Sequence, residues 1–202
     1  MAGRKATVAL LAALALAGCS TTRLTEPPQT ATEELLVSTA VDHAVAGLKP
    51  ALPPGSKVFV DAQYFTDAAL YQKYAVGAVR DQLLRQGEHL VDDRKSADII
   101  VEMRSGAQSI DHHTFLVGIP SFPIPIPLAG TLTFPQIALY ERNRQTGIAK
   151  LAITSYGAKN GALVASSGPT FAASDKTDFT LLLFISWTDS DLMPPPLQDE
   201  DR

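Results

Sequence analysis

Apolar residues recur at helical spacing in two stretches of the first half of the chain. Between Thr30 and Leu48 they fall three or four positions apart, at Val37, Val41, Ala44, Val45 and Leu48. This spacing predicts a helix with one face toward a core. Thr30 and Glu33 fit a capping box, which satisfies the first free amide groups of a helix. A second helix is predicted from about residue 67 to 86, with Gly87 as its C-cap and a buried face of Ala69, Val76, Val79 and Leu83.

Most of the remaining apolar residues alternate with polar ones, and this pattern predicts strands. The predicted strands cover residues 57–61, 88–91, 99–104, 136–143, 148–156 and 163–167. Residues 144–147 (Arg-Gln-Thr-Gly) predict a hairpin turn, and Asn160-Gly161 predicts a second turn. Residues 179–187 are strongly apolar and fit either a central strand or a buried helix, because periodicity does not separate the two.

These elements predict one α+β domain over residues 30–190. Its first half forms a βαββ unit and its second half a β-meander. We therefore expect a mostly antiparallel sheet with two helices packed on one face. The residues after 190, with three consecutive prolines and Asp199-Glu200-Asp201, predict a disordered acidic tail at 191–202.

The first 18 residues have the pattern of a secretory signal peptide. Arg4 and Lys5 precede an apolar run from Val8 to Ala17, which is too short to span a hydrocarbon core of ~30 Å. Leu16, Ala17, Gly18 and Cys19 resemble the lipobox of bacterial lipoproteins. The resemblance implies cleavage between Gly18 and Cys19 and acylation of Cys19, with palmitate among the expected chains. The alternative is a plain signal peptide followed by an incidental cysteine.

The lipobox also carries expectations about location. Ser20 follows the cysteine, and in lipoproteins of this type the absence of aspartate there favours the outer membrane, with the protein facing the periplasm. Residues 19–29 then form the lipidated cysteine and a polar tether containing Pro27-Pro28. The expected partners are the membrane, through the anchor at Cys19, and an envelope protein or a second copy of the chain.

Composition excludes several classes of protein. The 202 residues carry 17 basic and 21 acidic side chains, a formal charge of −4. Removal of Arg4 and Lys5 with the signal peptide leaves 15 basic side chains and a charge of −6. This charge argues against nucleic-acid binding, which needs a basic surface. The single cysteine excludes a disulfide scaffold and a multi-cysteine metal cluster.

No charged side chain occurs between Thr114 and Tyr140, a segment rich in proline. Proline removes amide donors, so the segment is expected to be extended and cannot form a central strand. It could fold back over the core, contact a partner or second copy, or dip into the membrane beside the anchor. The candidate interaction residues are Ile119, Phe122, Ile124, Ile126 and Leu128.

The sequence shows no catalytic constellation, so we predict that the protein is not an enzyme and has no cofactor or metal. Asp111-His112-His113 is the densest group of metal-ligand residue types, but adjacent strand residues point to opposite faces. Asp61, Asp92, Asp93 and Asp98 match no calcium-loop spacing. Residues 166–169 are expected to end a strand and turn, and Phe179, Phe184 and Trp187 are expected in the core.

Several stretches resemble a family of bacterial lipoproteins of unknown function. Besides the lipobox, these are residues 32–36, 84–93, 117–120, 125–127, 145–147 and 166–169. The element order is more distantly similar to curli-secretion-type envelope lipoproteins and to the amino-terminal domain of the Tol-system β-propeller protein. The predicted strands include no pair of long amphipathic membrane hairpins, which argues against a pore.

The sequence therefore predicts a lipid-anchored, non-catalytic binding or assembly module of the envelope. The alternative is an oligomeric envelope channel or secretion component that uses residues 114–140 at subunit or membrane contacts. A third and weaker hypothesis is an envelope hydrolase using Asp111, His112 or His113.

Overall fold

The computed structural model describes residues 29–65, 69–126 and 130–192. The described residues from Ala31 onward form one compact unit. Among the described residues, two helices, α1 (Ala31–Ala46) and α2 (Ala69–Arg85), accompany eight strands. The strands are β1 (Lys57–Asp61), β2 (His89–Leu90), β3 (Ile99–Ile119), β4 (Phe122–Ile126), β5 (Gly130–Phe134), β6 (Ile137–Gly157), β7 (Leu163–Leu181) and β8 (Ile185–Ser190). A short 3-10 helix covers Arg94–Ser96.

Six strands form one sheet in the order β2-β1-β3-β6-β7-β8. The β1 strand runs parallel to both β2 and β3, and the remaining pairs are antiparallel. The strands β4 and β5 form a separate two-stranded hairpin between β3 and β6. The predicted α+β fold, with two helices on one face of a mostly antiparallel sheet, is confirmed.

The core lies between the helices and one end of the sheet. It includes the predicted face of α1 and much of that of α2, together with alternate residues of β3 and β6. Its fully buried side chains include Val37, Val41, Leu83, Val101, Met103, Leu151 and Ile153. The helical periodicity therefore identified most of the buried face of α1, and Val79 and Leu83 of α2. Gly87 has a φ of +96°, which favours glycine and agrees with its predicted place at the end of α2.

The predicted hairpin at residues 144–147 is wrong, because β6 continues through it from Ile137 to Gly157. Gly147 lies in mid-strand where α1 crosses the sheet, and a Cβ atom there would overlap the backbone carbonyl of Leu36. The glycine thus permits close approach of a helix, a role that a sequence pattern does not distinguish from a turn. The separate strands predicted at 136–143 and 148–156 are one strand.

The strands on either side of β6 are also longer than predicted. The β3 strand continues from Arg104 to Ile119, and β7 continues through Gly168 and Pro169 to Leu181. A register shift in β7 accommodates Gly168, whose φ is +95°. The expectation that residues 166–169 end a strand is therefore wrong. The strands β3, β6 and β7 are thus each about twenty residues long, which the sequence did not predict.

Residues 179–187 form neither a central strand nor a buried helix. They contain the end of β7, a turn at 182–184 and the start of the edge strand β8. Phe184 is 80% exposed and Trp187 is 40% exposed, so their predicted place in the core is wrong. The segment is a hairpin whose apolar side chains face outward.

The proline-rich segment does not fold back over the core. Ile119, Phe122, Ile124 and Ile126 are between 37% and 46% exposed, which overturns the buried-loop interpretation. Leu128 lies outside the described residues. Pro123 and Pro125 occupy alternate positions of β4, which has a partner on one side only. This agrees with the expectation that the prolines exclude a central strand.

Candidate functional site

The sheet extends beyond the helices as a four-stranded arm. We define the arm as residues 111–119 of β3, 137–146 of β6, 175–181 of β7, and β8 (Ile185–Ser190). Ala138 is the one buried residue among these ranges. The arm therefore depends on strand pairing more than on packing against a helix.

One face of the arm is apolar, and the register of the strands defines it row by row. Val117, Tyr140, Leu181 and Ile185 form the outermost complete row across the four strands. Phe115, Arg142, Phe179 and Trp187 form the next row. The rings of Phe179 and Trp187 stack with centroids 5.0 Å apart, and Phe115 meets Tyr140 edge-on at 6.2 Å. We call the seven apolar or aromatic residues of these rows the apolar face.

The opposite face of the arm is mostly polar. Its rows contain Thr114, Glu141, Asn143, Asp178, Thr180, Ser186 and Thr188, with Leu116 as an apolar member. Thr188 donates a hydrogen bond to Asp178 at 2.6 Å, and Lys176 pairs with the same carboxylate at 2.7 Å. The arm is therefore amphipathic across its thickness.

Two apolar segments lie at the far end of the arm, and together we call them the tip. The first is the hairpin of β4 and β5, whose one face carries Phe122, Ile124, Ile126, Leu132 and Phe134. The rings of Phe122 and Phe134 stack at 5.0 Å. The second is the turn Leu182–Phe184, which donates amide hydrogen bonds to the carbonyls of Leu139 and Ala138.

The tip turn holds two leucines in an unfavourable backbone conformation. Leu182 and Leu183 have φ values of 51° and 72°, in the left-handed region that favours glycine. Each costs roughly 1–2 kcal/mol relative to ordinary backbone. Both side chains are about half exposed, so the strain is not offset by deep burial. Such strain at an exposed apolar turn is typical of a functional surface.

The boundary between the arm and the core is charged. Arg144 donates two hydrogen bonds to Asp175, at 3.0 Å from Nε and 2.9 Å from Nη2, and Thr146 donates a third at 2.6 Å. The hydrogen bond from Arg144 lowers the pKa of the Asp175 carboxyl, and that from Thr146 acts in the same direction. Partial burial opposes both.

The candidate catalytic residues do not converge. His112 lies on the helix side of the sheet, with Nε2 3.6 Å from Oε1 of Glu33, whereas Asp111 and His113 occupy the opposite face. Asp61 pairs with Arg94, Asp92 with Arg80 at 3.2 Å, and Asp93 accepts from the amide of Lys95. Within the described ranges, no group of three or more histidine, cysteine or acidic residues could hold a metal ion.

The lipidation residues Leu16, Ala17, Gly18 and Cys19 lie outside the described residues. The structure brings the candidate residues Ile119, Phe122, Ile124 and Ile126 to the far end of the arm and its tip, as exposed side chains. No helix in the described parts of the chain combines the length and apolar character needed to cross a bilayer.

Sequence reasoning missed most of the apolar face, including Phe115, Val117 and Trp187. A signal was present, because apolar residues stand two apart at 115, 117 and 119, and again at 185 and 187. This spacing indicates one face of a strand. It does not indicate whether that face meets the core or the solvent.

The model of a family of unknown function, DUF6655, matches residues 13–187. No curated protein matches the chain.

Proposed function

The chain belongs to the DUF6655 family, whose function is unknown, and from this premise we propose a lipid-anchored, non-catalytic binding or assembly module of the bacterial envelope. The observation that carries the proposal is the exposed apolar face of the arm with its tip. Exposed apolar patches of this kind mark interaction sites in soluble domains. The module would face the periplasm from the outer membrane.

Lipidation of Cys19 supplies the anchor in this proposal. The lipobox residues Leu16, Ala17 and Gly18 before Cys19 support it, and they lie within the region matched by the family model. Two or more acyl chains would make the attachment stable, since each buried CH₂ contributes ~0.8 kcal/mol. Cells expressing the protein should incorporate labelled palmitate into it. Cys19→Ala should abolish the label, and the matched control Thr21→Ala should retain it. Equal labelling of both variants would refute the anchor.

The serine after the anchor supports the outer membrane as the location. Replacement with aspartate should shift the protein to the inner membrane in a bacterium that sorts lipoproteins by this position. The measurement is separation of the two membranes on a density gradient. Ser20→Ala is the matched control and should leave the distribution unchanged. Identical gradients for all three proteins would remove this support.

The separation of Asp111 and His113 from His112 on opposite faces supports a non-catalytic role. Within the described parts of the chain, Asp111, His112 and His113 belong to no group of three or more residues that could hold a metal ion. The double variant His112→Ala, His113→Ala should complement a deletion strain fully. Loss of complementation by a folded double variant would favour the hydrolase hypothesis instead.

A second candidate function is an oligomeric envelope channel or secretion component. The observation that favours it is the free edge of β8, which brings Trp187 and the apolar face to the border of the sheet. Unpaired edges are templates for pairing with another chain. Mass measurement after mild detergent extraction tests this candidate. A strict monomer excludes it, whereas a defined oligomer that Phe122→Ser, Ile124→Ser dissociates would establish it.

A further inference from the structure

We propose that the apolar face and the tip of the arm rest on the surface of the same bilayer that holds Cys19. This deepens the function proposed above and depends on its lipid anchor for the choice of membrane. The protein would then contact the membrane at two points, the acyl chains and the arm. Three features of the structure lead to lipid as the occupant of this surface.

The first feature is the order of residue types along the apolar face. Aliphatic residues dominate the turn and the outermost row, with Leu181, Leu182, Leu183 and Ile185. Tyr140 completes the outermost row and Phe184 the turn, and the next row carries the aromatic rings of Phe115, Phe179 and Trp187. Arg142 lies within this aromatic row, and Arg144 and Asp189 lie in the next row toward the core. This sequence from aliphatic to aromatic to charged matches the depth profile of a membrane interface, where tryptophan and tyrosine lie at the headgroup level.

The dimensions agree with this profile. Asp189 lies four positions after Ile185 on β8, and a strand rises about 3.3 Å per residue. The apolar rows therefore extend about 13 Å from the tip turn to the charged row. An interfacial segment is buried by roughly 5–10 Å. Arg142, within the aromatic row, has a long side chain that can extend toward lipid phosphates.

The second feature is the place where α1 begins. The first turn of α1 lies beside the arm, since Glu33 approaches His112. The last turn lies near Ala173, because Nδ1 of His43 is 3.2 Å from the carbonyl oxygen of Ala173. Ala173 pairs with Ile148 of β6, whereas His112 pairs with Gln145 of the same strand. Ile148 lies closer to the core than Gln145 does. The helix therefore runs away from the tip, and its first residue, Ala31, lies at the end of the helix nearer the tip.

The reach of the preceding chain is sufficient for both contacts. Ile119 lies seven positions after His112, which corresponds to a distance of about 23 Å along the strand. The residues from Ser20 to Ala31 number twelve and can span at most about 40 Å in any conformation. An anchor at Cys19 and the tip can therefore occupy one membrane surface.

The third feature is that the apolar residues cover an end of the arm as well as a face. The hairpin of β4 and β5 joins the far ends of β3 and β6, and the turn Leu182–Phe184 joins those of β7 and β8. Both of these connections, the hairpin and the turn, are apolar and uncharged. A bilayer surface covers such an end together with the adjoining face. The unpaired backbone edges of β4 and β5 limit the depth to the interface, because hydrocarbon does not hydrogen-bond them.

Trp187 is the one tryptophan of the chain, so its fluorescence reports directly on the apolar face. The experiment uses the mature chain from residue 19 with Cys19→Ala, which carries no lipid. It is mixed with vesicles of phosphatidylethanolamine and phosphatidylglycerol. We expect a blue shift of the Trp187 emission, quenching by brominated acyl chains, and co-flotation of the protein with the vesicles.

A matched pair of variants locates the contact. Phe184→Ser removes an 80% exposed ring from the tip, and we expect vesicle affinity to fall about tenfold, in keeping with the loss of one buried aromatic side chain. Phe171→Ser removes a 68% exposed ring from β7, at a position outside the apolar face. It should bind vesicles like the parent. Equal thermal midpoints and circular dichroism for both variants verify that each is folded.

Three results would overturn the inference. One is an unchanged Trp187 emission with vesicles, and another is equal weakening by the two variants. The third is a blue-shifted emission without lipid in a dimer that Phe184→Ser dissociates, which assigns the surface to a second copy. Failure of vesicle binding with intact palmitate labelling refutes only this inference. Vesicle binding without palmitate labelling refutes the anchor and the choice of membrane that depends on it, and leaves the lipid contact of the arm standing.

Discussion

Gly147 is the residue that allows α1 to lie directly on the sheet. Its missing side chain leaves room for the backbone of Leu36, and Ser174 on the neighbouring strand donates a hydrogen bond to the Leu36 carbonyl at 2.6 Å. Gly147 and Ser174 are both small residues, and both are buried under the helix. The position of the helix on the sheet is thus set by two small residues on adjacent strands.

We predict that Gly147→Ala destabilises the protein by about 1–3 kcal/mol, the cost of overpacking against a backbone that cannot rotate away. The matched control is Gly77→Ala on α2, where a Cβ atom meets nothing within 4 Å. That substitution should stabilise the protein by up to about 1 kcal/mol, because alanine favours helix. Urea denaturation of both variants measures the difference. Similar effects of the two substitutions would contradict the close approach of α1.

Asp175 gives a prediction about pH. Its pKa is lowered in the folded state, chiefly by the hydrogen bond from Arg144, so its stabilisation is present above the usual carboxyl pKa and is lost as the pH falls through the lowered folded value. Asp175→Asn should cost about 0.5–1 kcal/mol at neutral pH, a figure already reduced for solvent screening of a side chain that is 40% exposed.

The stability difference between Asp175→Asn and the parent should shrink as the pH falls below about 4. Denaturation at a series of pH values measures it, with Asp189→Asn, on an exposed side chain of β8, as the control. A difference that stays constant down to the most acidic pH would show that the Asp175 carboxylate is not the source of the effect.

At the scale of elements, β6 passes through two environments. Leu151 at one end is 1% exposed in the core, and Leu139 at the other end is 51% exposed on the arm. Leu151→Ala should cost about 2–5 kcal/mol, because the cavity that it leaves cannot collapse fully. Leu139→Ala should cost less than about 1 kcal/mol. Thermal or urea denaturation compares them, and equal losses would show that the arm is packed like the core.

The turn between β7 and β8 exposes apolar side chains at a cost in stability, because Leu182 and Leu183 adopt a strained backbone conformation. Leu183→Gly should raise stability by up to about 1 kcal/mol, because glycine adopts a φ of +72° without strain. The same change should weaken vesicle binding, since it removes an exposed leucine from the tip. Denaturation and flotation measured on one sample test both effects. A variant that gains no stability would remove the argument from backbone strain.

At the scale of the whole molecule, charge and apolar surface are segregated. The chain after residue 18 carries a formal charge of −6, yet residues 114–140 have no charged side chain. A net negative chain is repelled by anionic lipid, so the proposed membrane contact must come from apolar burial rather than from charge attraction.

Raising the salt concentration should therefore leave vesicle binding of the Cys19→Ala chain unchanged or strengthen it, because salt screens the repulsion. Flotation with phosphatidylglycerol-containing vesicles at low and high salt measures this. Vesicles of phosphatidylcholine alone are the control and should show little dependence on salt. A steep loss of binding at high salt would indicate attraction through basic residues and contradict the apolar contact.

The sequence by itself determined the elements around the core. The helical spacing and Gly87 identify α1 and α2, and the alternation identifies β1, β2 and the first residues of β3. These signals are local, because capping, helical periodicity and strand alternation act over a few neighbouring residues. The uncharged segment 114–140 was also evident from the sequence, together with the exclusion of Pro123 and Pro125 from a central strand.

Only the tertiary structure decided where the strands end and which apolar residues face outward. Gly147 resembles a turn residue until α1 is placed upon it, and the continuity of β6 depends on pairing with β3 and β7 over long sequence separations. Trp187 and Phe184 are residue types that usually lie in a core. Both side chains are exposed here, because the helices cover only one end of the sheet. Exposure follows from which element packs on which face, and this is a property of distant contacts that no local pattern specifies.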